Sequence, residues 1–208
     1  MTATRYHHGN LRQALADAAV AAARERGPDG LAVRELARSV GVSHNAAYRH
    51  FADRDALVGV VADAGLAGLV TAMDRRLGEV TATEPVARAR ARLTALGTGY
   101  VDFALAEPGL FQVLFTAYPD PPDGSDASDP YGMLNAALDD LVAVGYLDPA
   151  LREGADVTCW SAVHGFAMLC VGGPLRQLPP VVRDQALAAM LASLDRAYGV
   201  RAESSRAE

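Results

Sequence analysis

Lysine is missing from this chain and cysteine nearly so. All 19 basic side chains are arginine, which reads as the codon bias of a GC-rich genome rather than as chemistry. On one helix, Cys159 and Cys170 would lie about three turns, roughly 16 Å, apart, far outside disulfide reach. They are expected as free thiols that fill core. Apolar runs such as LVGVVADAGLAGLV are broken by Asp63 and by glycines, so no uncharged run of about 18 strongly apolar residues suggests a membrane span. The segment MTATRYHHGN has no apolar centre of the signal-peptide kind. These absences lead us to expect a cytoplasmic protein without a membrane partner. Alternating strand patterns are also absent, as are a Gly-x-Ser-x-Gly elbow, a phosphate loop and a dinucleotide fingerprint.

What is present is apolar and helical. Half of the 208 residues are apolar, which supplies a sizeable core for one large or two modest domains and excludes disorder of the whole chain. Leu11, Leu15, Ala18, Ala19 and Ala22 follow helical spacing behind an Asn10–Gln13 capping pair. RGPDG stops that helix. A short helix carrying Val33, Leu36, Ala37 and Val40 ends at Gly41. Ser43 then caps a third, which turns Ala46, Ala47 and the aromatic body of Tyr48 inward before Phe51 closes the unit. Asp53 caps a longer helix with Leu57, Val60, Val61 and Ala64 as its apolar stripe. Further helices are predicted over roughly 86–106, 109–116, 131–145, 150–172 and 180–198. Between them, YPDPPDGSDASDP reads as a mobile acidic loop. The predicted fold is all-α: an N-terminal three-helix unit over 1–55, linked through helix 53–75 to a helical body over 76–200, with a disordered tail over 201–208.

Charge divides the chain in the same place. Residues 1–55 hold eight Arg against six acids, a balance of +2, and four of the five histidines. Residues 56–208 carry −8. A net −6 is a poor match for a protein that coats nucleic acid with its whole surface, but a basic head on an acidic body suits a local contact.

Two short helices around a glycine turn have the form of a helix-turn-helix, whose second helix enters the major groove. In GVSHNAAYRHF, Gly41 accepts the turn and Val42 plugs the core beneath it. Ser43, His44, Asn45, Arg49 and His50 then face outward. Asn and His near such a helix start suit base edges, while Ser43, Tyr48 and His50 suit phosphates. Arg34 and Arg54 flank the unit with charge for the backbone on either side. A metal is disfavoured: His44 and His50, six apart, are turned about 120° from a shared face, and no Cys or HExxH partner is near. Neither metal nor cofactor is expected. Catalysis is disfavoured too, since Cys159 and His164, five apart, point about 140° away from each other on a helix.

The stretch GLAVRELARSVGVSHNAAYRHFADRDALVGVV closely resembles the DNA-binding region of TetR-type regulators. The resemblance runs from about Leu11 to Ala64 and is specific in its Tyr-x-His-Phe ending, followed by a charged cap and an Ala-Leu pair. It implies DNA contacts at Arg34, Ser43, His44, Asn45, Tyr48, His50 and Arg54. Ala32 and Val33 depart from the pattern, standing where the family often has Ser or Thr for a phosphate contact and a helix cap. RYHHGNLRQAL and WSAVHGF (Trp160 to Phe166) resemble the branch with a C-terminal Trp-His-Gly signature. Trp160 and His164 lie one turn apart on one helix face.

The resemblance implies a non-enzymatic, ligand-responsive regulator, nucleoid-associated when DNA-bound. It pairs an N-terminal helix-turn-helix DNA-binding domain with a C-terminal helical ligand-binding and dimerisation domain. A homodimeric repressor would grip a palindromic double-stranded operator until released by a small-molecule effector. The last two helices would form a four-helix bundle with their copies through Ser161, Gly165, Ala188, Ala189 and Ala192. Candidate effector contacts are Tyr100, Phe103, Phe111, Phe115, Met133, Trp160, His164 and Met168, although core or dimer packing remains open for Trp160 and His164. An activator, or a helical interaction module without DNA, is the alternative.

Overall fold

A computed structural model of the protein describes residues 11–117 and 128–199. The Asn10 cap, His7 and His8, most of YPDPPDGSDASDP and the 201–208 tail lie outside them. Among the described residues no strand occurs; the only bridge is the isolated Leu147–Gly199 pair. The α-helices in chain order are α1 (Leu11–Arg26), α2 (Val33–Val40), α3 (His44–Tyr48), α4 (Arg54–Gly78), α5 (Pro85–Ala106), α6 (Pro108–Ala117), α7 (Pro130–Ala143), α8 (Ala155–Val171) and α9 (Pro180–Tyr198).

Their ends follow local chemistry. Proline opens α5, α6, α7 and α9, where its fixed φ suits the first turn and its missing N–H costs nothing. The Asp53 carboxylate accepts from the Ala56 N–H at 2.9 Å, and Asp129 accepts from the Gly132 N–H at 2.7 Å. The Glu84 carboxylate accepts from Val86 and Ala87, and these bonds to the charged form hold it below the usual carboxylate range. The helix expected over 150–172 starts later, at Ala155. Pro149 instead begins a separate 3₁₀ turn, and Gly154 adopts φ +78° just before α8.

Contacts divide the chain into two compact units. Among the described residues the first comprises 11–68 and 106–117, the second 69–105 and 128–199. The sequence predicts a linking helix over 53–75 between the two parts. The boundary falls inside α4, and α6 belongs with the N-terminal helices. Burial of Leu110, Phe111, Val113 and Leu114 explains the membership of α6: it packs on α1, and a Cβ on Gly109 would run into the Ala23 carbonyl. Glu107 also takes an ion pair from Arg24 at 3.0 Å.

In the first unit, Leu15, Ala19 and Ala23 of α1 join Leu31, Leu36, Ala47, Phe51 and Leu57 in one interior. In the second, Leu134, Leu138, Leu141, Leu147 and Cys159 form a cluster beside Ala89 and Ala155. The two cysteines are free and buried on α8, as their spacing implied.

Helix α4 corrects one expectation. By length and composition it is apolar enough to cross a membrane, the only such helix among the described residues. Yet Leu57, Val58, Val61, Ala62, Leu69 and Met73 along it are buried in the protein. Val60 and Ala64, placed in its stripe by spacing, are only half-buried. The inner stripe runs about one residue away from them, through Gly65, where the α6 backbone approaches.

Gly109→Ala is expected to destabilise the first unit by about 1–3 kcal/mol, because backbone on α1 cannot yield as a side chain does. A lower urea midpoint with unchanged helical circular dichroism at zero denaturant would show it.

Candidate DNA-reading face and ligand cavity

The reading head is built from backbone constraints. Gly41 ends α2 in the left-handed region at φ +77°. Its N–H donates to Arg38 O at 3.1 Å and the Val42 N–H donates to Ala37 O at 2.9 Å, the paired bonds of a Schellman cap. The chain is thereby turned within two residues. Ser43 then accepts from the Ala46 N–H at 3.2 Å through its side chain, capping α3. Ala47 and Phe51 are buried beneath, and the Arg12 guanidinium lies 5.4 Å from the centre of the Phe51 ring, a cation–π distance.

What remains outward is polar. Ser43, His44, Asn45, Arg49 and His50 are exposed, and so is Arg34 on α2. Among the described residues the side chains of Arg34, His44, Asn45, Arg49 and His50 have no hydrogen bond or ion pair within the chain. One expectation needs correction. Tyr48 does not turn its ring inward: it is 41% exposed, so the small Ala47, not the tyrosine, seals that side of α3. Arg54 is exposed but already donates to Pro28 O at 2.8 Å, which fixes the start of α4 and leaves its other donors to face outward. Ala32 at the α2 N-cap makes no side-chain cap, as its methyl group dictates.

The second unit holds a cavity of about 40 Å³, reached by five helices. Its wall is Met73 of α4, Gly97 and Tyr100 of α5, Leu134 of α7, Trp160 and Val163 of α8 and Leu191 of α9, with further aliphatic side chains between them. At roughly 10–15 Å³ per water this holds about three waters, so a larger guest must move side chains. An open depression of about 350 Å³ lies between α5 and α9. Its charges are already matched, Arg76 with Asp102 at 2.7 Å and Arg183 with Asp184 at 3.4 Å.

An aromatic cluster borders the cavity. Tyr100 and Tyr131 each meet the Trp160 ring edge-on at 5.4 Å, the geometry ring quadrupoles prefer. His164 lies nearly parallel to Trp160, at 6.4 Å and 8°. The Tyr100 hydroxyl and His164 Nδ1 share a 2.8 Å hydrogen bond. Burial holds His164 below the ordinary histidine value and pushes the Tyr100 phenol up, so both are neutral at pH 7. The Tyr131 hydroxyl donates to Asp156 at 2.6 Å, tying α7 to α8. Burial pushes the Cys159 thiol up to about 11, the reverse of what a nucleophile needs.

Of the expected effector residues, Tyr100 and Trp160 line the cavity and His164 stands behind Tyr100. Phe103 is buried in the second unit without lining it. Met133 is half-buried off the wall, and Met168 points away, 42% exposed. Phe111 and Phe115 belong to the first unit, where their rings pack at 4.9 Å. Missed from sequence were Met73, Gly97, Leu134, Val163 and Leu191, aliphatic and small residues whose helical spacing is the same in a cavity wall as in solid core. No group of three metal-ligating side chains occurs among the described residues.

Comparison with known proteins identifies this architecture. Residues 15–61 match the family of bacterial regulatory proteins of the tetR type, and 93–194 match the tetracyclin repressor-like C-terminal domain. The chain belongs to the TetR family. A Rhodococcus sp. RHA1 protein of unknown function is 30% identical, over 95% of this chain and all (100%) of that one, with a TM-score of 0.75. TetR from Acinetobacter baumannii AYE is 20% identical over 89% of this chain and 97% of its own, with a TM-score of 0.61. The regulator PfmR from Thermus thermophilus is 18% identical over 97% of this chain and 99% of its own, with a TM-score of 0.58. No curated protein matches the chain. This TetR family member is therefore a transcriptional regulator with a helix-turn-helix DNA-binding domain, not an enzyme. Its C-terminal domain match contains Trp160 and His164.

Because His164 is held neutral by burial, the unfolded chain binds its proton first on acidification. Its contribution to stability is therefore lost as pH falls through about 6.5 toward the lower folded-state value. Thermal melts across that window should show a shallower decline for His164→Gln than for the parent protein.

Proposed function

We propose that this TetR family regulator is a repressor: a cytoplasmic homodimer that grips a palindromic double-stranded operator, joins the nucleoid when bound and lets go when a small molecule fills its C-terminal domain. The unpaired polar face of α3 carries the reading. Five exposed side chains, Arg34 on α2 and His44, Asn45, Arg49 and His50 on and just after α3, have no partner within the chain among the described residues, and groups of this kind suit base edges and phosphates. Ser43, Tyr48 and Arg54 complete the contact set, the serine through its hydroxyl proton, since its oxygen already caps α3.

An exposed apolar face supports the dimer. Val157 is 58% and Val181 67% exposed, while Ser161, Ala188, Ala189 and Ala192 on the same two helices are also exposed. Nothing lies within 4 Å of a Cβ built on Gly165, leaving room for a second helix to approach. A two-fold copy would bury this patch and set the spacing of two α3 helices against a palindrome. Met73 supports the release step, because it belongs both to the cavity wall and to α4, the helix that begins three residues after Phe51. A ligand that favours one setting of α4 shifts the population of DNA-competent dimers by its difference in affinity for the two settings.

Binding isotherms on the protein's own operator test the head. Asn45→Ala and His44→Ala should each relax base preference, costing about 1–3 kcal/mol at one position. Tyr48→Ala and Arg34→Ala should weaken all sequences alike, and Arg34→Ala should lower the salt slope by about one. Unchanged binding in all four would remove α3 as the reader.

For the dimer, Ala189→Arg should give a monomer of unchanged helicity by sedimentation; a persistent dimer would place the interface elsewhere.

A further inference from the structure

Resting on the effector reading above, we infer that the cavity is built for a small, uncharged aromatic compound of about one ring bearing a hydroxyl, seated against Tyr100 and Trp160 by displacement of Met73.

Charge sets the first limit. Among the described residues no arginine or histidine lines the cavity, and its only ionisable carboxylate is Asp195. That carboxylate is already matched by Arg90, whose Nε donates to it at 2.9 Å. An anion would leave water without a countercharge and stand beside a like charge. A cation would find the one carboxylate taken.

Size and shape set the next limits. The existing space is about 40 Å³, and the wall at Gly97 is closed: a Cβ there would stand 2.7 Å from Leu191 and 3.4 Å from Val163. Room has to come from the most adaptable side chain on the wall. Met73 is that group, unbranched and buried. Its displacement would also register occupancy on α4. Two aromatic rings on the wall, Tyr100 and Trp160, are held edge-to-face, and favour a flat aromatic guest over an aliphatic one of equal volume. Two hydroxyl-bearing residues line the cavity, Thr94, which is exposed, and Tyr100, whose hydroxyl already shares a bond with His164 but has both a proton and lone pairs to offer. They suit a single hydroxyl.

Trp160 is the only tryptophan of the chain, so its emission reports this cavity in the full-length protein. Titrations with p-cresol, toluene, benzoate, benzylammonium and cyclohexanol separate the terms. p-Cresol should change Trp160 emission saturably and bind about tenfold or more tighter than benzoate or benzylammonium, and several-fold tighter than cyclohexanol. Tyr100→Phe should weaken p-cresol about three- to tenfold while leaving toluene unchanged. Benzoate or benzylammonium binding as tightly as p-cresol, or silence of Trp160 toward all five probes, overturns the inferred class. Saturable p-cresol binding with no loss of operator affinity keeps the class and overturns the effector reading instead.

Discussion

A helix of five residues cannot hold itself in water, since nucleation costs more than one turn of hydrogen bonds returns. Helix α3 is that short, and everything around it in the first unit acts to fix it. The left-handed glycine at 41 aims the chain, the Ser43 hydroxyl satisfies an early N–H, and buried Ala47 and Phe51 clamp the inner side. With its shape set by neighbours, α3 can give its outer positions to groups that do nothing for folding. Its histidine and asparagine side chains, and the arginines beside it, have no partner within the described chain and are the ones proposed above to meet DNA.

The second unit is built differently. Most of the wall of its cavity is made of side chains with soft or small shapes, a methionine, a glycine, five leucines and a valine, beside the rings of Tyr100 and Trp160. The stiff parts are clasped pairs in and around that wall. Tyr131 is fixed to Asp156, Tyr100 to His164, and Asp195 to Arg90. Asp195 and Asp156 are both held below the usual carboxylate range, chiefly by their hydrogen-bonded partners Arg90 and Tyr131. They stay ionised and keep their clasps well into the acid range. In the release step proposed above, a soft lining on a fixed frame would let a binding change act on one element, α4, without loosening the rest.

The elements of the fold were legible because each is announced locally. Helical spacing, prolines at first turns, and Asp53 and Asp129 as caps need only neighbours in sequence. The reading head was legible for the same reason: its glycine turn, cap and buried aromatic fall within eleven residues. Two things were not. Membership of α6 in the first unit depends on Gly109 meeting Ala23, a contact between residues more than eighty apart, and Tyr48 could be turned outward only once α3 ended beside it. The cavity was only half visible. Aromatic residues drew attention to Tyr100 and Trp160, but the same rule drew in Phe111 and Phe115, which are core of the other unit, and passed over the aliphatic wall.

Charge completes the argument about how such a protein meets DNA. A balance of +2 over residues 1–55 against −8 over the rest means that phosphate attracts the head and repels the body. Wrong orientations are therefore penalised before any base is read. Pairing differs from one arginine to the next. Arg75, Arg76, Arg90 and Arg152 are engaged by Asp102, Asp195 and Asp139, whereas Arg34 and Arg49 in the head are paired with nothing in the described chain. Arg88 and Arg176 of the body are likewise unpaired within the described chain, so it is the net charge of the two parts, more than the pairing of their arginines, that sets head apart from body. Net acidity is no obstacle to a DNA-binding protein built this way, because the acid sits on the part that must be kept off the duplex.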